Sequence, residues 1–252
     1  MANSVVTSET RRIAMLIDGD HAQPSLFGEM VAEASKYGTV TVRRIYGDWT
    51  AINMKSWKDT LNLYAIQPIQ QFRYTTGKNA TDSAMIIDAM DLLYEGVVQG
   101  FCLVSSDRDY TRLATRIREK GLFAMGIGER KTPKAFKNAC EVFVETENLG
   151  GKTRRTELVT APSEVTEEGG APDPVSLIRE AYEMSAQDDG WASLGVIGGH
   201  LRQLDPSFDP RTYGHKLLSQ LVRAHSDQFE IRQERGRSGP ATIYIRPLSR
   251  RG

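Results

Sequence analysis

Ile13-Ala14-Met15-Leu16-Ile17-Asp18-Gly19-Asp20 is an unbroken apolar run that ends on two carboxylates. A run that is apolar at every position suits a strand covered on both faces, as in a parallel sheet. Phe101-Cys102-Leu103-Val104 has the same form and leads into Ser105-Ser106-Asp107-Arg108-Asp109. In open parallel sheets, ligands collect beyond the carboxyl ends of the strands. Asp18, Asp20, Asp107 and Asp109 are therefore expected at one edge of one sheet, and a divalent-metal site is the leading idea.

Outward from these two runs, residues 11–149 alternate β-like and helix-like segments. The expected strands are Ile13–Ile17, Val40–Tyr46, Ile69–Tyr74, Phe101–Val104, Leu122–Ile127 and Val142–Val144. The expected helices are Leu26–Tyr37, Trp57–Tyr64, Ser83–Tyr94, Asp109–Lys120 and Pro133–Asn138. Strands separated by helices of this length predict βαβ units, an α/β class and a mostly parallel sheet flanked by helices. Residues 150–173 break the pattern with Gly150-Gly151, Gly169-Gly170 and several glutamates, and they read as a flexible linker. Residues 174–248 form a second, smaller unit. Helices are expected from Pro174 to Ala186, Leu194 to Leu204 and Thr212 to Ala224. A β-ribbon of Phe229–Gln233 and Thr242–Ile245 follows, with the basic, glycine-rich tip Arg235-Gly236-Arg237-Ser238-Gly239-Pro240. Helices followed by such a ribbon predict a winged helix.

Lysine plus arginine equals aspartate plus glutamate, 32 each in 252 residues, so global charge carries no nucleic-acid signature. Any basic surface must come from local patterning. No stretch reaches the roughly 18 apolar residues of a membrane span, and Met1–Thr10 has no apolar signal core. Cys102 and Cys140 lack metal-ligand spacing and sit in apolar runs, which predicts buried thiols and a cytoplasmic protein.

Asp82 opens the helix-like run after Gly77-Lys78-Asn79-Ala80-Thr81. With Asp82 at zero and a helical step of about 100°, Ile86 falls at about 40°, Ala89 at about −20° and Leu93 at about 20°. Asp82 thus shares the face that packs on the sheet. Asp91 falls at about 180°, toward water, and Asp88 at about −120°, on the flank. Like charges about 4 Å apart repel by roughly 4 kcal/mol at an effective dielectric of about 20, so gathered carboxylates need a counter-charge or must protonate. Mg²⁺ or Mn²⁺ suits such all-oxygen donors. The bland alternative is helix capping, by Asp107 or Asp109 for the helix to Lys120 and by Asp82 for the helix from Ser83.

Over residues 11–149 the motifs resemble the NYN domain, a PIN-like ribonuclease fold. The resemblance lies in Leu16-Ile17-Asp18-Gly19-Asp20, Arg44-Ile45-Tyr46-Gly47-Asp48-Trp49, Gly77-Lys78-Asn79-Ala80-Thr81-Asp82, Ser105-Ser106-Asp107-Arg108-Asp109-Tyr110 and Gly126-Ile127-Gly128-Glu129-Arg130-Lys131. It implies a metal-dependent endoribonuclease with catalytic, metal-binding carboxylates at Asp18, Asp82 and Asp107 and support from Asp109. Asp20 and Asp88 rank second. His21 departs from the pattern, because relatives usually have asparagine there. Two rivals share these residues. Asp18-Gly19-Asp20 is also similar to the haloacid dehalogenase phosphatases, but Ala22 stands where that pattern needs Thr or Ser. A non-catalytic RNA-binding module would keep the fold with an idle metal site.

An RNA substrate, expected to be single-stranded, needs cations for its phosphates and platforms for its bases. The candidates near the acidic residues are His21, Lys78, Arg108, Arg112, Arg130, Lys131 and Lys134, with Tyr46, Trp49 and Tyr110 as platforms. The second unit resembles the OST-HTH/LOTUS domain. That resemblance rests on Asp173-Pro174-Val175-Ser176-Leu177-Ile178, Gly190-Trp191-Ala192-Ser193-Leu194, Leu204-Asp205-Pro206-Ser207-Phe208-Asp209, Tyr213-Gly214 and the closing ribbon. It implies an RNA-binding or protein-binding role, with Arg232, Arg235, Arg237 and Arg246 on phosphate. Self-association into a homo-oligomer stays open.

Overall fold

β1 (Arg12–Asp18), β2 (Thr39–Gly47), β3 (Gln67–Gln70), β4 (Gly100–Val104), β5 (Phe123–Gly128) and β6 (Val142–Glu145) form one six-stranded sheet. Its order is β3-β2-β1-β4-β5-β6, and every neighbouring pair is parallel. The order reverses between β1 and β4. Chain connections leave that point in opposite directions, which opens a crevice at the carboxyl ends of these two strands. Ile17 pairs with Val104, so Asp18 and Ser105 emerge side by side.

The computed structural model describes residues 10–72, 80–150, 172–185, 189–234 and 241–248, divided into the units Met1–Gly150 and Gly151–Gly252. Lys78, Arg235, Arg237 and nearly all of the expected linker lie outside the described residues.

In the first unit α1 (Phe27–Ala34) and α2 (Lys58–Tyr64) cover one face of the sheet. Phe27, Met30 and Trp57 pack there on Met15, Ile17 and Val104. The other face is covered by α3 (Ala80–Glu95), α4 (Thr111–Glu119) and α5 (Lys134–Ala139), whose Met85, Ala89, Leu113, Ile117 and Phe136 pack on Leu16, Phe101 and Leu103. Burial of β1 and β4 on both faces accounts for their continuous apolar runs. Cys102 and Cys140 are buried free thiols, pushed up mainly by burial, Cys140 to about 12.

Some bounds differ from expectation. β3 is Gln67–Gln70 rather than Ile69–Tyr74. It is an edge strand, where Pro68 is tolerated because its missing N–H can face away from the ladder. A 3-10 turn, Arg108–Tyr110, precedes α4.

The second unit holds α6 (Pro174–Glu183), α7 (Leu194–Leu204) and α8 (Leu218–Ala224) against a three-stranded antiparallel sheet. Its strands are β7 (Ala192–Ser193), β8 (Phe229–Glu234) and β9 (Thr242–Pro247), in the order β7-β9-β8. Ile178, Ile197, Leu221, Phe229 and Ile245 fill the core between them. The helix expected from Thr212 to Ala224 is split. A 3-10 turn, Pro210–Tyr213, stops at Gly214, whose φ of 80° is the left-handed conformation that closes helical turns.

Candidate metal centre

Beyond Asp18 the chain turns sharply, with the Gly19 N–H donating to the Tyr46 carbonyl at 2.9 Å. A Cβ on Gly19 would come within 2.8 Å of that carbonyl, so the close approach needs glycine. Asp18 is 1% exposed. Its Oδ1 accepts from the Asp20 N–H at 3.1 Å, and its Oδ2 accepts from Ser105 Oγ at 3.0 Å. His21 Nδ1 lies 2.6 Å from the same Oδ2. This bond, ahead of the surrounding carboxylates, raises the His21 imidazole to about 9 against the opposing effect of burial.

Ser105 joins the two strand ends. Its hydroxyl donates to Asp18 and accepts the Asp107 N–H at 3.0 Å. Asp107 then caps the following 3-10 turn, with Oδ1 accepting the Asp109 N–H at 2.9 Å. Capping and site-building therefore coincide at Asp107. From the opposite side α3 presents Asp82, whose Oδ1 accepts from the Tyr110 hydroxyl at 2.7 Å. Burial raises the Asp82 carboxyl; the Tyr110 bond opposes the rise, and the nearby charges of Asp18 and Asp107 add to it.

One carboxylate oxygen from each of Asp82, Asp107 and Asp109 lies within 4.8 Å of the others. Asp82 and Asp107 are half-buried, and Asp109 is exposed. Three hard oxygen donors facing one space fit Mg²⁺ or Mn²⁺, which bind through a few carboxylates and retain waters. Burial is the main cause of the upward shift at Asp82, and the smaller contribution of the Asp18 and Asp107 charges is the part that a cation would relieve.

The other acidic candidates are not members of that trio. Asp18 is already engaged on both oxygens. Asp20 accepts from Asn53 Nδ2 at 3.2 Å. Asp88 binds the Arg44 guanidinium and the Tyr46 hydroxyl, which tie α3 to β2. The helical wheel is close here. Among the described residues of α3, Met85, Ala89, Leu92 and Leu93 are buried, centred at about −40° with Asp82 at zero. Asp82 sits inside that face, Asp88 on its shoulder and Asp91 on the exposed side.

The stacking platforms need correction. Tyr46 and Tyr110 have fully buried rings and offer no face to a base. In each, packing claims the ring and only the hydroxyl reaches a carboxylate. Trp49 is half-buried, with Nε1 donating to the Ile69 carbonyl at 3.0 Å. Among the cations, Arg108, Arg112 and Lys134 are exposed and form no ion pair among the described residues. Arg130 pairs with Glu145 at 2.9 Å and Lys131 with Glu129 at 2.7 Å. An open groove of about 500 Å³ between α4 and α5, lined by Thr115, Arg118, Glu119, Ala135 and Asn138, contains none of the candidate aspartates.

In the second unit Arg232 and Arg246 both lie over the Trp191 ring, at 4.6 and 4.9 Å from its centroid. Glu234 pairs with Arg232 at 3.0 Å and Glu230 with Arg246 at 2.6 Å. These two arginines are thus built into a neutralised stack on the ribbon.

Sequence reasoning did not assign roles to Ser105 and Arg44, and it gave Tyr110 the wrong one. A polar residue directly after an apolar strand is the signal that could have found Ser105.

A parallel sheet whose order reverses at a carboxylate-lined crevice makes this an α/β protein and is consistent with a PIN-like fold. The NYN domain model matches residues 12–147, and the chain belongs to the NYN domain family, part of the PIN-like nuclease superfamily. Residues 171–240 match the OST-HTH/LOTUS domain, a class that binds RNA. No curated protein matches the chain. Among solved structures, a protein of unknown function from Vibrio parahaemolyticus is similar at 17% identity and a TM-score of 0.47, covering 55% of this chain and 94% of its own. An uncharacterized protein from Nitrosomonas europaea is similar at 31% identity and a TM-score of 0.30, covering 39% of this chain and 94% of its own. No helix among the described residues is long and apolar enough to cross a membrane.

Proposed function

We propose that the chain is a Mg²⁺- or Mn²⁺-dependent endoribonuclease that hydrolyses phosphodiester bonds in single-stranded RNA, with its OST-HTH/LOTUS domain as an RNA reader. The observation that carries this reading is the convergence of Asp82, Asp107 and Asp109 at the crevice of an NYN domain. Those three carboxylates would hold the cation. When bound, the cation supplies positive charge to the phosphoryl oxygens and an acidified water.

The remaining steps belong to the chain. Asp18 lies beneath the crevice and, through Ser105, fixes the loop that carries Asp107. Arg108 flanks Asp107, and Arg112 follows on α4; their exposed guanidiniums can take the RNA phosphates on either side of the scissile bond. The second domain raises the local concentration of nuclease at RNA to which it is already bound.

A second reading has its own support. With His21 and Ser105 on Asp18 Oδ2, the carboxylate that the family resemblance ranks first is engaged within the protein. That favours an RNA-binding protein with an idle centre. The phosphatase alternative loses ground, because its nucleophile would be Asp18, at 1% exposure.

The test is cleavage of a single-stranded RNA by wild type and by Asp18→Asn, with Mg²⁺, Mn²⁺ or EDTA. Cleavage by wild type that needs the cation and falls in Asp18→Asn supports the nuclease. RNA binding without cleavage supports the idle-centre reading. Equal cleavage by both proteins contradicts the assignment.

A further inference from the structure

Tyr110 has one polar atom, and that atom is aimed at the acidic cluster. Its ring is fully buried and packs on Phe136, with centroids 6.4 Å apart. The same turn that carries Asp107 and Asp109 therefore sends a phenol through the core to Asp82 on α3, where it donates to Oδ1 at 2.7 Å. Close packing leaves the ring no freedom to swing its hydroxyl away. Among the described residues, Asp82 Oδ2 has no hydrogen-bond donor. One oxygen of Asp82 is thus occupied and the other is open.

That asymmetry matters for the choice of cation. Mg²⁺ requires near-ideal octahedral geometry at short distances and takes few protein carboxylates. Ca²⁺ accepts more oxygens at longer distances and commonly grips a carboxylate through both. A phenol fixed on Oδ1 restricts Asp82 to a single metal contact.

We propose that Tyr110 is a positioning residue that holds Asp82 monodentate and thereby makes the centre select Mg²⁺ or Mn²⁺ over Ca²⁺. This rests on the metal-dependent reading above and adds to it the basis of cation choice. The rival explanation is that a buried phenol simply needs an acceptor, and Asp82 is the nearest one.

The two explanations separate in calorimetric titrations of the full chain with MnCl₂ and with CaCl₂. Tyr110→Phe keeps the ring and removes only the hydroxyl. Loss of an orienting partner typically costs at least about tenfold in metal affinity, so Mn²⁺ binding should weaken by about that factor while Ca²⁺ binding stays within about twofold or tightens. Phe136→Leu disturbs the same packing with the hydroxyl in place, and its Mn²⁺-to-Ca²⁺ affinity ratio should equal that of wild type. An unchanged ratio in Tyr110→Phe, or an equal narrowing in Phe136→Leu, would overturn the inference. Wild type that binds neither cation would instead overturn the metal reading beneath it.

Discussion

His21 Nδ1 sits 2.6 Å from Asp18 Oδ2, so the residue that departs from the family pattern is bonded to the acid that begins it. The bond raises the imidazole to about 9 from an ordinary 6.5. A folded value above the unfolded one stabilises the fold fully below about pH 6.5, and that contribution is lost as pH rises through the folded value. In EDTA, an NMR titration of His21 should have its midpoint near pH 9. The stability advantage of wild type over His21→Asn should disappear across the same window. A midpoint near 6.5 would contradict the bond.

Glu145 anchors a buried ionic cluster. It accepts from Lys137 Nζ at 2.8 Å and from Arg130 Nε at 2.9 Å, and Lys137 also donates to the Arg130 carbonyl at 2.9 Å. Glu145→Gln leaves a buried ammonium without its counter-charge, a change expected to cost about 3 kcal/mol. Lys137→Met should cost less, because Glu145 keeps Arg130. Urea denaturation read on the first domain checks the order, and a reversed order would contradict this account of the cluster.

Asp173 caps α6 by accepting the Val175 and Ser176 N–H groups and the Ser176 hydroxyl. The hydroxyl bond is the main cause holding the Asp173 carboxyl below its usual value. A lowered folded value gives stability above the ordinary carboxylate range that is lost as pH falls through the folded one. Asp173→Ala should therefore destabilise the second domain by about 1 kcal/mol at neutral pH. The gap should close as pH falls through the folded value. A gap that persists in acid would point to a cause other than the charged cap.

The arginines divide by the company they keep. Arg108 and Arg112 are exposed and without ion pairs among the described residues, whereas Arg232 lies over Trp191 and pairs with Glu234. Each phosphate contact removed should lower the salt slope of RNA binding by about one. Arg108→Ala and Arg112→Ala are expected to do so, and Arg232→Ala is expected to leave the slope unchanged. Filter binding across a salt series distinguishes them, and the opposite pattern would move the RNA-contacting face to the ribbon.

Much of the frame was legible because burial on both faces writes itself into composition. Ile13–Ile17 of β1 and Phe101–Val104 of β4 are apolar at every position, and the acids just beyond these runs mark where the sheet stops. Asp82 was legible through helical periodicity. The partners within the site were not. Whether Tyr110 exposes its ring or hides it behind Asp82 depends on Phe136, 26 positions away in the sequence numbering. Tyr46 reads as a surface aromatic at a strand end, yet its hydroxyl is claimed by Asp88 on α3. Such pairings are set by how layers stack, and local patterning does not record them. The break at Gly214 was local, but a glycine inside an apolar pattern does not announce its φ.

The most direct measurement is the single-turnover rate of cleavage of a single-stranded RNA by wild type and by Asp107→Asn at saturating Mn²⁺, with the melting of both proteins followed in parallel. Several kcal/mol of charge stabilisation depend on the cation, so the account predicts a fall of at least about a hundredfold with the fold retained. Equal rates in the two proteins, or cleavage that survives EDTA, would contradict it.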